Sequence, residues 1–371
     1  MCSQLNDIRQ SFSSLRVEKK LRHREIAKFL KITEAELIDA HVGVSKLASM
    51  KSSPHLARAT RLKNTWFEML SQFESLGKVL SLTRNEYGVL EKEGIYQPVS
   101  MQGDIGLVLG TSIDLRLFYK HWEFGYAFEQ GKGEALQRSF QFFDEFGVAV
   151  HKVFLLPESD HDYFDELIDQ FSDPHQDPCI QIQEPVTLDA PTQQKEPYAF
   201  SMETFREDWR ELKDTHDFHS LIKRYGLNRL QALQAIGSEF ANQLTKDSMR
   251  RVFEIAKNDL IPLMIFVGNR GAIQIHHGVI HRLVEAKSWF NILDPGFNLH
   301  LDINHISNIW LVRKPTQDGI VTSMELLDDD GQMVAFVFGE RTPGQPEMPA
   351  WRQLIEGVLE EQGNIELCEL D

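Results

Sequence analysis

Cysteine is scarce. Cys2, Cys179 and Cys368 are the only three in 371 residues, widely separated and odd in number. That excludes a disulfide framework and a CxxC metal site, and predicts a reducing, cytoplasmic compartment. Long apolar runs are also missing. The longest, Leu260 to Val267, contains Pro262 and falls far short of the roughly 20 residues a membrane span needs. The N-terminus carries Asn6, Asp7, Arg9 and Gln10, so no apolar signal core is expected. Positive charge is short as well: 39 Lys+Arg face 55 Asp+Glu, a net charge of −16. This argues against nucleic-acid binding by phosphate neutralisation and against adhesion to an anionic membrane. GxGxxG and Walker sequences are absent, so no motif supports nucleotide binding. What remains, 42% hydrophobic and 25% charged, is ordinary globular composition, at a length for two or three domains.

Proline is concentrated in one window. Pro174, Pro178, Pro185, Pro191 and Pro197 predict an extended linker, because proline at that density blocks helix and central strand alike. It separates an N-terminal repeat (1–172) from a C-terminal one (203–371) across a linker at 173–202. The repeat itself is visible at a constant offset of 184. Asn85 matches Asn269, Gly94 matches Gly278, and Asp114-Leu115-Arg116-Leu117 matches Asn298-Leu299-His300-Leu301. Ser139–Asp144 matches Ser323–Asp328, and Gly147 falls on Gly331. Alternating Leu115, Leu117, Tyr119 and Leu299, Leu301, Ile303 predict half-buried strands. Helical spacing predicts helices over 24–43, 204–225 and 229–236, with closing helices near Tyr163–Phe171 and Trp351–Leu359. The expected fold class is α+β: an internal duplication, each half with a large antiparallel sheet and flanking helices.

Asp214-Thr215-His216-Asp217-Phe218-His219 is the segment richest in chemistry. Positions three apart share a helix face, so His216 and His219 could present two imidazoles to one site, or be surface histidines at a helix start. As a zinc site the pair is incomplete, and Asp217 could either orient an imidazole or serve the helix N-terminus. His276 and His277 point to opposite faces of a strand, and with His281 read as strand and turn residues. Arg116 and His300 are equivalent mid-strand positions, each facing solvent or a cavity. The basic segments at Arg313-Lys314 and at Arg341 either hold a small anion or are ordinary hairpin ends.

Several longer motifs carry a resemblance. Trp209-x-x-Leu212-x-Asp214-x-His216-x-Phe218, Met264–Gly271 and Arg313-Lys314-Pro315-Thr316 resemble the cytoplasmic hemin-degrading and heme-trafficking factors of the HemS/PhuS/ChuS type. So do Asp114–Phe118, Gln141–Asp144 and Gly339–Thr342, in order over roughly residues 20–360. The resemblance implies an internally duplicated protein that takes up heme b from bacterial importers. It implies His216 as proximal iron ligand, with His219 as an alternative. It implies Arg116 on the distal side, catalytic if the protein is an enzyme, with Phe118 and Phe266 lining the pocket. Arg229, Lys314 and Arg341 would meet the propionates. Such a site needs an imidazole for iron and an apolar slot for the ring.

This chain also departs from relatives. Leu90 stands where some carry a histidine, and Phe336 and Phe338 where several have Gln and Tyr. His23 is one residue out of step with His216 in the repeat, a rotation of roughly 100° around a helix. One heme per chain is therefore expected. Two functions stay open: a carrier that passes heme to a heme oxygenase, or an enzyme that opens the ring with O2 or peroxide and an external reductant. Expected partners are heme, a heme oxygenase or the inner-membrane importer, with no nucleic acid, in a monomer or weak dimer.

Overall fold

The computed structural model describes residues 2–44, 57–131, 133–178, 180–184, 201–342 and 344–368. Cys179 and the linker prolines Pro185, Pro191 and Pro197 lie outside the described residues. In the first half, helices α1 (Cys2–Glu18), α2 (His23–Leu30) and α3 (Glu34–Asp39) precede β1 (Ala57–Arg61) and α4 (Trp66–Leu70). Then come β2 (Lys78–Arg84), β3 (Gly88–Ile95), β4 (Ser100–Gln102), β5 (Ile105–Leu109), β6 (Asp114–Leu117), β7 (Phe124–Gln130), β8 (Gln137–Phe143), β9 (Ala149–Leu155) and α5 (His161–Phe171). The second half opens with α6 (Met202–Arg210), α7 (Asp217–Arg224), α8 (Arg229–Ile236), β10 (Ala241–Gln243) and α9 (Lys246–Asn258). It continues through β11 (Leu263–Gly268), β12 (Ala272–Gly278), β13 (Leu283–Ala286), β14 (Trp289–Asp294) and β15 (Phe297–Asp302). It ends with β16 (Asn308–Thr316), β17 (Gly319–Leu327), β18 (Met333–Gly339) and α10 (Pro349–Cys368). The fold is α+β, with two nine-stranded antiparallel sheets among the described residues.

The chain forms two compact units. One comprises Met1–Arg84, Glu91–Val186 and Asn269–Gln274, the other Asn85–Leu90, Thr187–Gly268 and Ile275–Asp371. The duplication holds down to the register. In the first unit Tyr126 pairs with Gln141, Gln141 with Lys152, and Lys152 with Leu82. In the second, Trp310 pairs with Glu325, Glu325 with Phe336, and Phe336 with Phe266. Each β8/β17 ladder slips at the same point, between Phe142/Phe143 and between Leu326/Leu327. Gly147 and Gly331 turn the following hairpins at φ 72 and 74, a left-handed conformation glycine adopts without steric cost.

The helical layers repeat too, at an offset of 195 from Lys31 to Gly226. Both residues have positive φ, 56 and 67, and break the helical run. Thr33 and Asn228 then cap α3 and α8, each in a capping box with Glu36 or Gln231. The break at Lys31 corrects the single helix expected over 24–43, and the helix expected over 204–225 stops at Arg210 and restarts after His216; the turn at Gly226 before 229–236 is where the glycine placement puts it. Helix α1, which the sequence reading did not predict, adds Phe12 and Leu15 to the first unit's core. Residues 173–178 and 180–184 pack on that unit: the Arg61 carbonyl accepts from the Asp173 N–H and from Gln176 Nε2, both at 2.9 Å.

The matched asparagines do identical work. Asn269 Oδ1 accepts from Gly271 N (2.9 Å) and Ala272 N (3.0 Å), while Nδ2 donates to the carbonyls of Arg84 and Val150, both at 2.8 Å. Asn85 Oδ1 accepts from Tyr87 and Gly88, and its Nδ2 donates to Gly268, Met333 and Val334. They open the two short exchanged segments, Asn85–Leu90 and Asn269–Gln274, so the repeat kept the same side chain at the start of both. Asn269→Ala strands several backbone groups at once and should cost about 2–4 kcal/mol, read as a lower urea midpoint at unchanged slope.

Candidate functional site

In the second unit, helices α6–α8 cover part of one sheet face, burying Trp209, Phe218, Leu221 and Ile222 against Trp310 and Val312. The opposite face belongs to α9 and α10, through Val252, Phe253, Trp351 and Ile355. On the first face, β11 and β18 continue beyond the helices as an apolar shelf. Met264, Phe266, Phe336 and Phe338 alternate there with fully buried residues and are each partly exposed. The Phe266 and Phe338 rings meet edge-on at 5.2 Å.

His216 stands at the N-cap of α7 with its side chain 93% exposed. The preceding Asp214 folds back on it: Asp214 Oδ1 accepts from His216 N at 2.8 Å and pairs with Nδ1 at 2.6 Å. The His216 backbone N–H, followed by its ring, holds the Asp214 carboxyl below the usual range. An Nδ1–H donated to a carboxylate leaves Nε2 with its lone pair outward, the arrangement that metal-ligating histidines use. His219, three residues on, is also exposed. Phe218 between them points inward, 1% exposed.

Phe218 is the floor of a charged cluster. The Arg229 guanidinium lies 4.8 Å from the Phe218 ring and 4.6 Å from that of Phe336. The Lys314 ammonium sits 4.6 Å from the same Phe218 ring. Both cations grip Glu325, which is fully buried: Arg229 Nη1 at 2.6 Å and Lys314 Nζ at 2.5 Å. Burial opposes the carboxylate's charge, but Arg229 and Lys314 together outweigh it and hold the Glu325 carboxyl down at about 2. Two cations on one anion leave the cluster a net positive charge beside the shelf. Lys314, read from the sequence as part of a basic hairpin end, is a buried residue within β16. Arg341 follows β18, 4.0 Å from Asp318. Its Nε and the Trp310 Nε1 are buried donors with no hydrogen-bond partner among the described residues.

The same positions in the first unit are filled differently. Glu34, the repeat equivalent of Arg229, is bound by Lys152 and Arg84. The helix thus supplies the anion and the strands both cations, whereas in the second unit the helix supplies one cation and the strands the anion and the other cation. Lys152 occupies the place of Phe336, so a buried charge replaces the shelf aromatic. His23 falls on the position of Phe218, two residues from that of His216 rather than the one expected, and like Phe218 is core: it packs on Phe12 and Phe128, bonds Gln130 Oε1 at 2.8 Å, and is pushed down to about 4 by burial. Leu90 is fully buried.

Arg116 lies on β6 in the first unit, about a third exposed, paired with Asp114 and donating to the Leu115 carbonyl at 3.2 Å. Leu107 is its cross-strand partner, and Leu109 opposes Asp114. Ile105, Leu107 and Leu109 therefore share the Arg116 face, where Leu109 is 60% exposed. The sequence reading missed these three; their alternation with buried Val108 was the available signal. Phe118 follows, its N–H donated to the Gly271 carbonyl at 2.9 Å. His300, the repeat equivalent of Arg116, bonds Asn291 Oδ1 through Nδ1 at 2.6 Å. His276 stacks on Phe297 at 3.6 Å, as a strand residue.

Known proteins share this architecture. A family model described as the haemin-degrading HemS/ChuX domain matches twice, over residues 31–171 and 226–358. The hemin transport protein HmuS of Yersinia pestis is 36% identical over 337 residues, 91% of this chain and 92% of that one. Holo-PhuS, a heme-binding protein from Pseudomonas aeruginosa, is similar in structure with a TM-score of 0.87 at 39% identity, covering 95% of this chain and 98% of that one. ChuS, described as an E. coli heme oxygenase, has a TM-score of 0.80 at 31% identity, with 94% and 99% covered.

Glu325 carries a consequence for stability. Its folded pKa lies below the unfolded value of about 4.3, so its stabilisation is complete at neutral pH. It should fade as pH falls from that value toward 2. Glu325→Gln leaves the buried Lys314 and the partly exposed Arg229 without their anion and should cost about 3–5 kcal/mol at pH 7, a penalty that shrinks in urea melts at acid pH.

Proposed function

This chain belongs to the haemin-degrading HemS/ChuX family, and from that premise we propose that it is a heme-binding protein of bacterial heme utilisation. It accepts imported heme b in the cytoplasm and passes it on for degradation, to a heme oxygenase. Among the described residues no helix is long and apolar enough to cross a membrane. The observation that carries the reading is His216, an open imidazole whose Nδ1 is tethered by Asp214 at 2.6 Å. Its free Nε2 is the proposed iron ligand, with His219 able to replace it. Bound heme supplies the iron that imidazole ligation requires.

The remaining roles follow chemistry. The Phe266, Phe336 and Phe338 shelf offers the apolar contact a porphyrin ring needs. The Arg229–Glu325–Lys314 cluster attracts carboxylates by its net charge, with Arg229 as its partly exposed member. Arg341 has a buried Nε still to be paired, which suits a propionate. By the family resemblance Arg116 takes the distal side with Phe118, and Ile105, Leu107 and Leu109 extend its apolar face. A ligand at an exposed helix start can be exchanged readily, as a carrier requires.

His216→Ala should shift the Soret band and speed heme transfer to an acceptor such as apomyoglobin. Asp214→Asn should do so more weakly, by loosening the ring without removing it. Wild-type spectra and transfer rates in His216→Ala would refute the ligand assignment. The buried, charge-filled equivalent in the first unit supports one heme per chain, so a Soret titration should break at one equivalent. A sharp break at two that survives gel filtration would refute the count.

A second reading, a ring-opening enzyme fed by an external reductant, is favoured by the likeness to ChuS. Single-turnover spectra with reductant and catalase separate the two. Biliverdin-like product that survives catalase indicates the enzyme; its absence indicates the carrier.

A further inference from the structure

The first unit buries a set of oxidisable rings that heme binding does not use. Tyr96 is fully buried, and its hydroxyl is hydrogen-bonded to Nε2 of His151, which is 1% exposed. The other ring nitrogen, Nδ1, meets Thr83 Oγ1 at 2.8 Å. Burial pushes the Tyr96 phenol up and the His151 imidazole down to about 3. Both groups are therefore neutral at pH 7, and in the tautomer that donates Nδ1–H to Thr83 Oγ1, Nε2 turns its lone pair to the phenolic O–H. The Trp122 indole, 2% exposed, lies 6.2 Å from the His151 ring and 5.5 Å from the ring of Tyr119. Tyr119 has a buried hydroxyl without a hydrogen-bond partner among the described residues. Its ring lies so close over Gly106 that a Cβ there would fall 2.7 Å from it. Tyr119 adjoins Phe118 in sequence and stands three residues from Arg116.

A buried tyrosine that only needs satisfying can donate to any carbonyl. An imidazole lone pair is different, because it is a base at hydrogen-bond distance. A phenol is hard to oxidise while its proton stays on oxygen and far easier when a base takes that proton in the same step. Two further electron-rich rings, Trp122 and Tyr119, continue from this pair toward the segment of Arg116 and Phe118.

We propose that Tyr119, Trp122 and Tyr96 form a one-electron relay, in which Tyr96 is the radical site and His151 its proton acceptor. The relay rests on the heme reading only for its natural oxidant, a hydroperoxide reacting at bound heme. An electron leaves Tyr96 through Trp122 and Tyr119 to that oxidant, and the phenolic proton moves to His151 Nε2. The products are a neutral tyrosyl radical and an imidazolium. Reduction of one hydrogen peroxide to two waters takes two electrons and two solvent protons. Two such oxidations, with reduction of the radical between them, supply the electrons. A one-electron donor of the ascorbate class then reduces the radical, and the proton returns from Nε2 to the phenolic oxygen. The relay so moves oxidising equivalents away from the bound porphyrin.

The full chain without heme, oxidised by flash-generated ruthenium(III) tris-bipyridyl and freeze-trapped, tests the relay apart from the heme reading. Wild type should give a tyrosyl electron paramagnetic resonance signal that Tyr96→Phe loses and Tyr163→Phe keeps. In deuterated buffer the wild-type radical should show a strongly coupled exchangeable deuteron from His151, which Ser81→Ala keeps although the Ser81 hydroxyl also bonds Tyr96. With heme bound, peroxide should bleach Tyr96→Phe and Trp122→Phe faster than wild type. An undiminished radical signal in folded Tyr96→Phe, or a wild-type radical without the exchangeable deuteron, overturns the proposal. Radical formation in a chain that fails to bind heme would instead refute the heme reading and leave the relay standing.

Discussion

A carboxylate with no exposed surface stays ionised only where cations reach it directly, because burial alone would favour its neutral form. Glu325 meets that condition through Arg229 and Lys314. Around it the second unit takes its local shape. Arg229 is fixed at the first turn of α8, Lys314 near the C-terminal end of β16, and both cations lie over the ring of Phe218. With Phe218 pinned inward, its neighbours His216 and His219 are turned outward. The exposure of the candidate iron ligand is thus a consequence of what is buried beside it.

The first unit solves the same layering problem with inverted charge. Glu34 comes from the helix, Lys152 and Arg84 from the strands. Both arrangements hold the helices on the sheet, and the strand register is the same in both. Yet Lys152 in place of Phe336 takes an aromatic off the face, and His23 in place of Phe218 makes its imidazole a packing residue. One duplicated frame therefore fills this position of the first unit with buried charge and gives the second a net cation beside an apolar shelf.

Helix ends show how much of this was legible. The alternating strands, the offset of 184, the turns at Gly147 and Gly331 and the helix at 229–236 followed from periodicity and glycine placement. The breaks after Leu30 and Arg210 did not. The first depends on Lys31 adopting φ 56, which its residue type does not announce. The second depends on Asp214 bonding forward to His216, a side-chain turn that helical spacing cannot register.

The sequence by itself determined the α+β duplication, the family resemblance and the identity of His216 and Arg116 as the residues to watch. Those rest on local pattern and on motifs read along the chain. Tertiary structure alone decided that Lys314 is buried rather than part of an open basic loop, that His23 is core, and that Arg229 and Glu34 each join an ion cluster built on a buried carboxylate. Each of these depends on which side chain lies across a strand or beneath a helix. Such partners are up to 118 residues apart, as for Glu34 and Lys152. Burial and ion pairing are properties of those distant neighbours, so no window of sequence contains them.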